Sequence, residues 1–286
     1  MGPARWSKRP DPAPELHDSL DSDDRHNGPI IFLAYYCVVN YCSARYLMIT
    51  VEVWSDVVCP WCYIGKRRLE TALRGFDGDE VEVVWRSFQL DPSAPAHEER
   101  GLVASLVERG MGTPAQVRAM FDQVTKIAAE EGLAYDFDKA QSGNTFDAHR
   151  LLQHAKKNGV QGELKEHLMD AYFTRGARIG DRGTLVELAG EVGLDGAPGL
   201  DGDAYAREVR EDIDLAREIG ITGVPFFVFD RAFAVSGAQP VDVFTQALRT
   251  AHEQAPDRSD QATDQPEVEV PSARTAPGCD EDSCAV

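Results

Sequence analysis

Basic side chains are scarce in this chain: 29 Lys and Arg stand against 48 Asp and Glu over 286 residues, a formal charge of -19. Binding to nucleic acid or to an anionic membrane depends on neutralising negative charge with Lys and Arg, so the deficit opposes both and favours a soluble, self-repelling protein. Long apolar runs are also missing. The nearest, Ile30 to Val39, ends at Asn40 and falls short of the roughly 18 to 20 residues that a membrane span requires. Cysteine is too sparse for a disulfide framework, with six residues in three separated pairs: Cys37 with Cys42, Cys59 with Cys62, and Cys279 with Cys284. A chain of this length buries a core without such staples, which leaves redox or metal chemistry as the better reading of the pairs. No repeat recurs at fixed spacing.

The first 47 residues carry an apolar segment of about signal-peptide length, but Asp18, Asp21, Asp23 and Asp24 precede it where a signal is basic. The simplest account is that translation begins at Met48, immediately before the first strand, with residues 1–47 a disordered or spurious extension. An export signal and a genuine cytoplasmic extension are the alternatives, and without a convincing signal the expected compartment is the cytoplasm. Residues 254–286 are rich in Asp, Glu, Pro, Ser and Ala with almost no large apolar side chain, a composition that cannot offset the entropy of ordering. They are predicted to form a disordered acidic tail.

Between these ends the periodicity changes twice. Residues 50–55 alternate and are β-rich, residues 61–76 have helical spacing, and residues 81–90 give a second strand. Residues 97–220 are mostly helical, with Thr113-Pro114 and Gln116 resembling a capped start. Further helices are expected over residues 145–158, 163–174, 184–192 and 203–219. Strands return at 226–229 and 233–235 across Asp230-Arg231, and a last amphipathic helix runs from about Pro240 to Glu253. The expected architecture is α/β, a mixed sheet completed by residues 48–96 and 221–253 around an all-helical insertion at 97–220.

Cys59 and Cys62 fall where strand gives way to helix, with Pro60 near the first helical position, where its missing N–H costs nothing. Two cysteines with two residues between them can close a small disulfide, and the free N–H groups and dipole of a helix start stabilise a thiolate. Cys59, nearer the open end, is therefore expected to be the lower-pKa nucleophile, and Cys62 the thiol that resolves its mixed disulfide. The competing reading, half of a zinc site, needs two more ligands. The body holds no second Cys-x-x-Cys, and His149 and His154 are five residues apart, off a common helical face. No metal is expected.

Val53 to Arg67 (Val-Trp-Ser-Asp-Val-Val-Cys-Pro-Trp-Cys-Tyr-Ile-Gly-Lys-Arg) resembles the active-site segment of DsbA-like oxidoreductases, in particular their FrnE-type branch. The likeness continues through Asn144-Thr-Phe-Asp-Ala-His149-Arg150-Leu151, Gly180-Asp181 and Gly220-Ile-Thr-Gly-Val-Pro225-Phe-Phe-Val-Phe, and covers about residues 50–250. It implies a thioredoxin fold interrupted by a helical domain, and thiol–disulfide exchange (oxidation, reduction or isomerisation) on protein or peptide substrates. It further implies a recycling reductant such as a thioredoxin or glutathione system. No cofactor is expected, with glutathione allowed as a redox partner.

The same resemblance makes Val224-Pro225 a cis bond packed against the dithiol, with Val224 offering backbone hydrogen bonds to a peptide, and makes Trp61 part of the dipeptide that tunes the redox potential. Asn144 before a helix is read as a cap and His149 as a packing residue, although both could line the substrate cleft. Trp54 and Trp85 are read as packing residues, and Asp56 as a turn former or a proton acceptor. A flexible chain of about 25 residues has a root-mean-square reach of roughly 25 to 30 Å. Cys279 and Cys284 are thus candidates for a tethered auxiliary dithiol, against a reading as incidental tail thiols.

Two other functions share the pattern. Kappa-class glutathione transferases and 2-hydroxychromene-2-carboxylate isomerases use the fold with a serine at the nucleophile position, where this chain has Cys59. A redox-regulated chaperone would use the helical insertion to hold clients while the dithiol senses oxidation.

Overall fold

The computed structural model describes residues 48–96 and 101–254, so the expected N-terminal extension, residues 97–100 and the tail beyond Gln254, with Cys279 and Cys284, lie outside the described residues. Within them the order is β1 (Ile49–Ser55), α1 (Pro60–Arg74), β2 (Val81–Ser87), α2 (Leu102–Glu108), α3 (Pro114–Glu130), α4 (Phe146–Lys157) and α5 (Gln161–Asp170). A π-turn (Ala171–Arg175) continues α5. Then come α6 (Arg182–Glu191), α7 (Ala197–Leu200), α8 (Ala206–Glu218), β3 (Phe226–Phe229), β4 (Phe233–Ser236) and α9 (Val241–Glu253). No helix among the described residues is long and apolar enough to cross a membrane.

The sheet order is β2-β1-β3-β4, with β1 parallel to β2 and antiparallel to β3, and β4 antiparallel to β3. Strand β1 is central, and its Val, Ile and Trp side chains are buried on both faces. Ile49, Val51 and Val53 pack with Leu69 of α1 and Phe244 and Leu248 of α9, whereas Trp54 points the other way, to Ala216 of α8 and to Ile221. A mixed sheet with helices on both faces, whose second half returns after a helical excursion from α2 to α7, is the thioredoxin fold with a large helical insertion.

Local chemistry explains most of the boundaries. Thr113 and Gln116 form a reciprocal capping box at α3, and Asp181 accepts the Thr184 N–H at 2.8 Å to start α6. The expected strand over 81–90 stops at Ser87 because its parallel partner β1 ends at Ser55 and offers no further ladder. The Leu90 N–H is taken instead by Asp56. Asp230 and Arg231 both have left-handed φ, 50° and 57°, giving the tight turn between β3 and β4. Gly180 is required by proximity: a Cβ there would lie 1.9 Å from the Ala96 carbonyl oxygen.

Candidate active site

Cys59 is the N-cap of α1 and Pro60 its first residue, with no side-chain cap and no acidic residue in the first turn. The Cys59 carbonyl accepts the N–H of Cys62 at 3.1 Å and of Tyr63 at 3.4 Å, which places both sulfurs at the helix start. Both are reduced and buried, Cys59 at 0 % exposure and Cys62 at 1 %. The Cys59 thiol donates to the Val224 carbonyl at 3.6 Å, and the Val224-Pro225 bond is cis. Pro225 presses on α1: a Cβ on Gly65 would meet the Pro225 ring at 3.0 Å and Phe227 at 3.1 Å, so the helix one turn beyond Cys62 needs glycine for this approach. Trp61, Val58 and Val224 are half-buried and form the accessible rim.

The helix start expected to favour a Cys59 thiolate is opposed by the surroundings of the sulfur. Burial, then the hydrogen bond and charge of Cys62, and the Asp56 carboxylate push the Cys59 thiol well up, with only the Cys62 backbone N–H pulling it down. The helix start is present as expected, but the sulfur is fully buried, and the loss of solvation opposes the favourable N–H groups.

His149 on α4 comes close to the dithiol through Asp56. Its Nε2 lies 3.2 Å from Asp56 Oδ1, the separation of a hydrogen bond in which the ring N–H donates, and both side chains are 1 % exposed. Asp56 also accepts the Val57 N–H on Oδ1 and the Leu90 N–H on Oδ2, each at 2.8 Å. The turn-forming reading of Asp56 and the packing reading of His149 therefore describe two halves of one buried pair.

Asn144 is not the N-cap of α4, which is Thr145. Its Oδ1 accepts the Phe146 N–H at 2.9 Å and the Gln89 side-chain N–H at 3.1 Å, while its Nδ2 donates to the carbonyls of Pro92 and Ala94. It staples the segment after β2 to the start of α4. Trp54 and Trp85 are buried as expected, and Trp54 Nε1 donates to the Asp212 carbonyl at 2.9 Å.

Two insertion residues beside the dithiol were not anticipated. Tyr135 donates its hydroxyl to the Pro60 carbonyl at 2.8 Å from a cluster with Tyr63, Phe137 and Phe173; burial, then the nearby cysteines, raise its pKa. Lys165 on α5 is 1 % exposed, its ammonium 5.1 Å from the centre of the Trp85 ring. The signal was present, because Lys165 falls in register with Leu168, Met169 and Tyr172 on the apolar stripe of the helix, where a lysine is out of place. Beside Pro60 and Trp61 opens a cavity of about 430 Å³, lined by Leu102, Leu106, Met120, Phe137 and Tyr172 with Asp56 and Arg109 at its edges. Among the described residues no group of three or more His, Cys, Asp or Glu is arranged to hold a metal ion.

A family model described as a DSBA-like thioredoxin domain matches residues 50–249. The uncharacterized protein YwbO of Bacillus subtilis (strain 168) is 30% identical over 207 residues, 71% of this chain and 96% of that one. The crystal structure of a probable DsbA oxidoreductase from Streptomyces coelicolor is 41% identical, with a TM-score of 0.68 over 83% of this chain and 99% of that one. A 2-hydroxychromene-2-carboxylate isomerase structure, 12% identical, shares the fold at a TM-score of 0.54 over 73% of this chain and 98% of that one.

Proposed function

We propose, from the premise that the chain belongs to the DsbA-like thioredoxin domain family, that it is a thiol–disulfide oxidoreductase working through the Cys59-Pro60-Trp61-Cys62 dithiol. The observation that carries this reading is the pairing of two reduced, adjacent thiols at the start of α1 with the Val224 carbonyl before cis Pro225. An extended peptide entering over Trp61 and Val224 replaces the Cys59 thiol as the partner of that carbonyl. Released from its acceptor and aimed at the helix N–H groups, Cys59 loses its proton and attacks a substrate sulfur. The Cys59 to substrate S–S bond forms as the substrate disulfide breaks, and the departing sulfur takes the electron pair and a proton. Cys62 then attacks Cys59, forming the Cys59–Cys62 disulfide and releasing the second substrate thiol. Run backwards, the same steps oxidise a dithiol.

Asp56 and His149 hold the β1–α1 turn in place, Tyr135 holds Pro60, and Asn144 and Gly180 seat the helical insertion against the segment after β2. The natural substrates on this account are protein or peptide thiols and disulfides, recycled by a thioredoxin or glutathione system in the cytoplasm. Cys279 and Cys284, outside the described residues, would act as a tethered second dithiol that exchanges with the first.

The cavity beside Trp61 favours a second reading, glutathione-dependent chemistry on a small apolar molecule. Insulin reduction by the purified full chain separates the two: turnover lost in Cys59→Ser supports the dithiol reading. Absent turnover with glutathione-dependent conversion of a small electrophile supports the second. Aggregation suppression that survives in a Cys59→Ser, Cys62→Ser chain without any turnover would point to a chaperone instead.

A further inference from the structure

Two lysines are buried near the dithiol among the described residues; Lys66 is paired with Glu70 and Glu166, and Lys165 is not paired. Its whole side chain is enclosed, with Leu164 and Leu168 of the same helix packed in one cluster with Cys59, Cys62, Tyr63 and Ile64. Among the described residues it makes no ion pair and no hydrogen bond, and its ammonium lies over the face of Trp85. The neighbouring residue fixes where it points. Glu166 reaches out to Tyr63 at 2.5 Å, to Lys66 at 2.6 Å and to Arg67, clamping α5 against the first turns of α1. Gln161, one turn earlier, donates to the Trp85 carbonyl at 3.2 Å. With Glu166 held outward, Lys165 is held inward.

A lysine ammonium in an apolar core is costly, and evolution of a soluble fold gives no packing reason to prefer it to methionine. The ionisable groups that act on it are Cys62, Asp56, Lys66 and Cys59, in that order; Cys62, Asp56 and Cys59 favour its charge, and Lys66 opposes it. His149 stands behind Asp56 on α4. Thus two thiols and a carboxylate of α1 and the turn before it act on this ammonium, and the carboxylate is already occupied by two backbone N–H groups and an imidazole.

We propose that Lys165 is a positioning residue for the dithiol, supplying from the helical insertion the buried positive charge against which Cys62 ionises when it resolves the mixed disulfide. This rests on the oxidoreductase reading for its role in turnover. In that step the Cys62 thiol gives up its proton, its sulfur forms the bond to Cys59, the bond from Cys59 to the substrate breaks, and the released substrate sulfur takes the proton. Two thiols are oxidised and one substrate disulfide is reduced. Lys165 keeps its own proton and lowers the cost of the Cys62 thiolate through the low-dielectric core. Burial first, opposed by Cys62 and Asp56, brings the Lys165 ammonium down to about 8, so it still carries its charge at neutral pH.

The test isolates Cys62. In full-length Cys59→Ser protein, the pH midpoint of Cys62 ionisation is read from ultraviolet thiolate absorbance, using the Cys59→Ser, Cys62→Ser chain as blank. Three versions are compared: Lys165 intact, Lys165→Met and Lys165→Arg, with Lys139→Met as a control for losing a distant surface charge. Thermal melts establish that each is folded, and Lys165→Arg keeps the measurement informative if methionine perturbs the core. The expected result is a rise of the Cys62 midpoint in Lys165→Met of about one pH unit, a tenfold drop in thiolate at neutral pH, with Lys165→Arg near the parent. A folded Lys165→Met chain whose midpoint matches the parent, or an arginine variant as shifted as the methionine one, overturns the proposal. Because the readout is ionisation, failure of insulin reduction with a shifted midpoint would sink the enzyme reading and leave the charge coupling standing.

Discussion

Replacing Asp56 by asparagine is expected to weaken the fold and sharpen the nucleophile together. Asp56 is buried, and its carboxylate serves three donors: Val57 N–H and His149 Nε2 on Oδ1, and Leu90 N–H on Oδ2. An amide keeps one oxygen. If that oxygen continues to serve Val57 and His149, the new NH2 group faces the Leu90 N–H, which is left without an acceptor in a place that water does not reach. One buried group unsatisfied costs about 1 to 3 kcal/mol, so urea unfolding at neutral pH should show a lower midpoint with an unchanged slope. The Asp56 charge is also one of the influences that raise Cys59, although burial is the largest. Its removal should therefore let the Cys59 thiolate form at lower pH, and alkylation of Cys59 followed by mass spectrometry across pH should show a midpoint displaced downward. A folded Asp56→Asn chain with the Cys59 midpoint unchanged or displaced upward would refute this electrostatic account of the site, and undiminished stability would refute the hydrogen-bond account.

Three further outcomes follow from the same geometry. Glu166 is held below the usual carboxylate range because Lys66, Tyr63 and Arg67 outweigh its burial, so its stabilising contribution is present above the unfolded value near 4.3 and is lost as pH falls through the folded one. Glu166→Gln should cost about 1 to 3 kcal/mol at pH 7, and the gap to the parent in urea unfolding should close toward pH 3. Lys165, brought by burial from 10.5 to about 8, burdens the fold by about 3 kcal/mol below pH 8, a penalty that disappears as pH rises toward 10.5. Lys165→Met should accordingly be more stable than the parent at pH 7, with the difference shrinking between pH 8 and 10.5. Tyr135→Phe removes the hydroxyl that donates to Pro60 and should lower stability by about 1 kcal/mol, read from the urea midpoint.

What the sequence made legible divides along physical lines. Strand β1, the capping box at Thr113 and the turn at Asp230-Arg231 were readable because each depends on a few adjacent residues: alternation, a Thr-x-x-Gln pair, and polar residues that tolerate positive φ. The dithiol was equally local, since two residues between cysteines at a strand-to-helix junction carry their own chemistry. The end of β2 was misjudged because Val81 to Leu90 is β-rich throughout, while strand length is set by the partner that ends at Ser55. The burial of Cys59 was hidden for a related reason: the helix start is written in the sequence, but the Val224 carbonyl that meets the sulfur comes from far along the chain. Asn144 appeared to be a simple cap and is a four-bond staple because its partners, Gln89, Pro92 and Ala94, are brought to it only by the tertiary fold.

The helical insertion, on this account, is more than a lid over the thioredoxin core. It contributes His149, Tyr135, Lys165 and Glu166 to the surroundings of the two cysteines, so substitutions in α4 and α5 should alter redox behaviour as directly as substitutions in α1.

The central claim is that Cys59 and Cys62 form and break a disulfide with each other. Equilibrating the purified protein in glutathione buffers of graded poise, quenching with acid and counting alkylated thiols at Cys59 and Cys62 by mass spectrometry tests it directly. The account predicts a reversible two-electron transition between the dithiol and a Cys59–Cys62 disulfide, at a potential between thioredoxin's roughly -270 mV and DsbA's roughly -120 mV. A pair that stays reduced throughout, or a Cys59 that carries glutathione while Cys62 remains a free thiol at every poise, would contradict it.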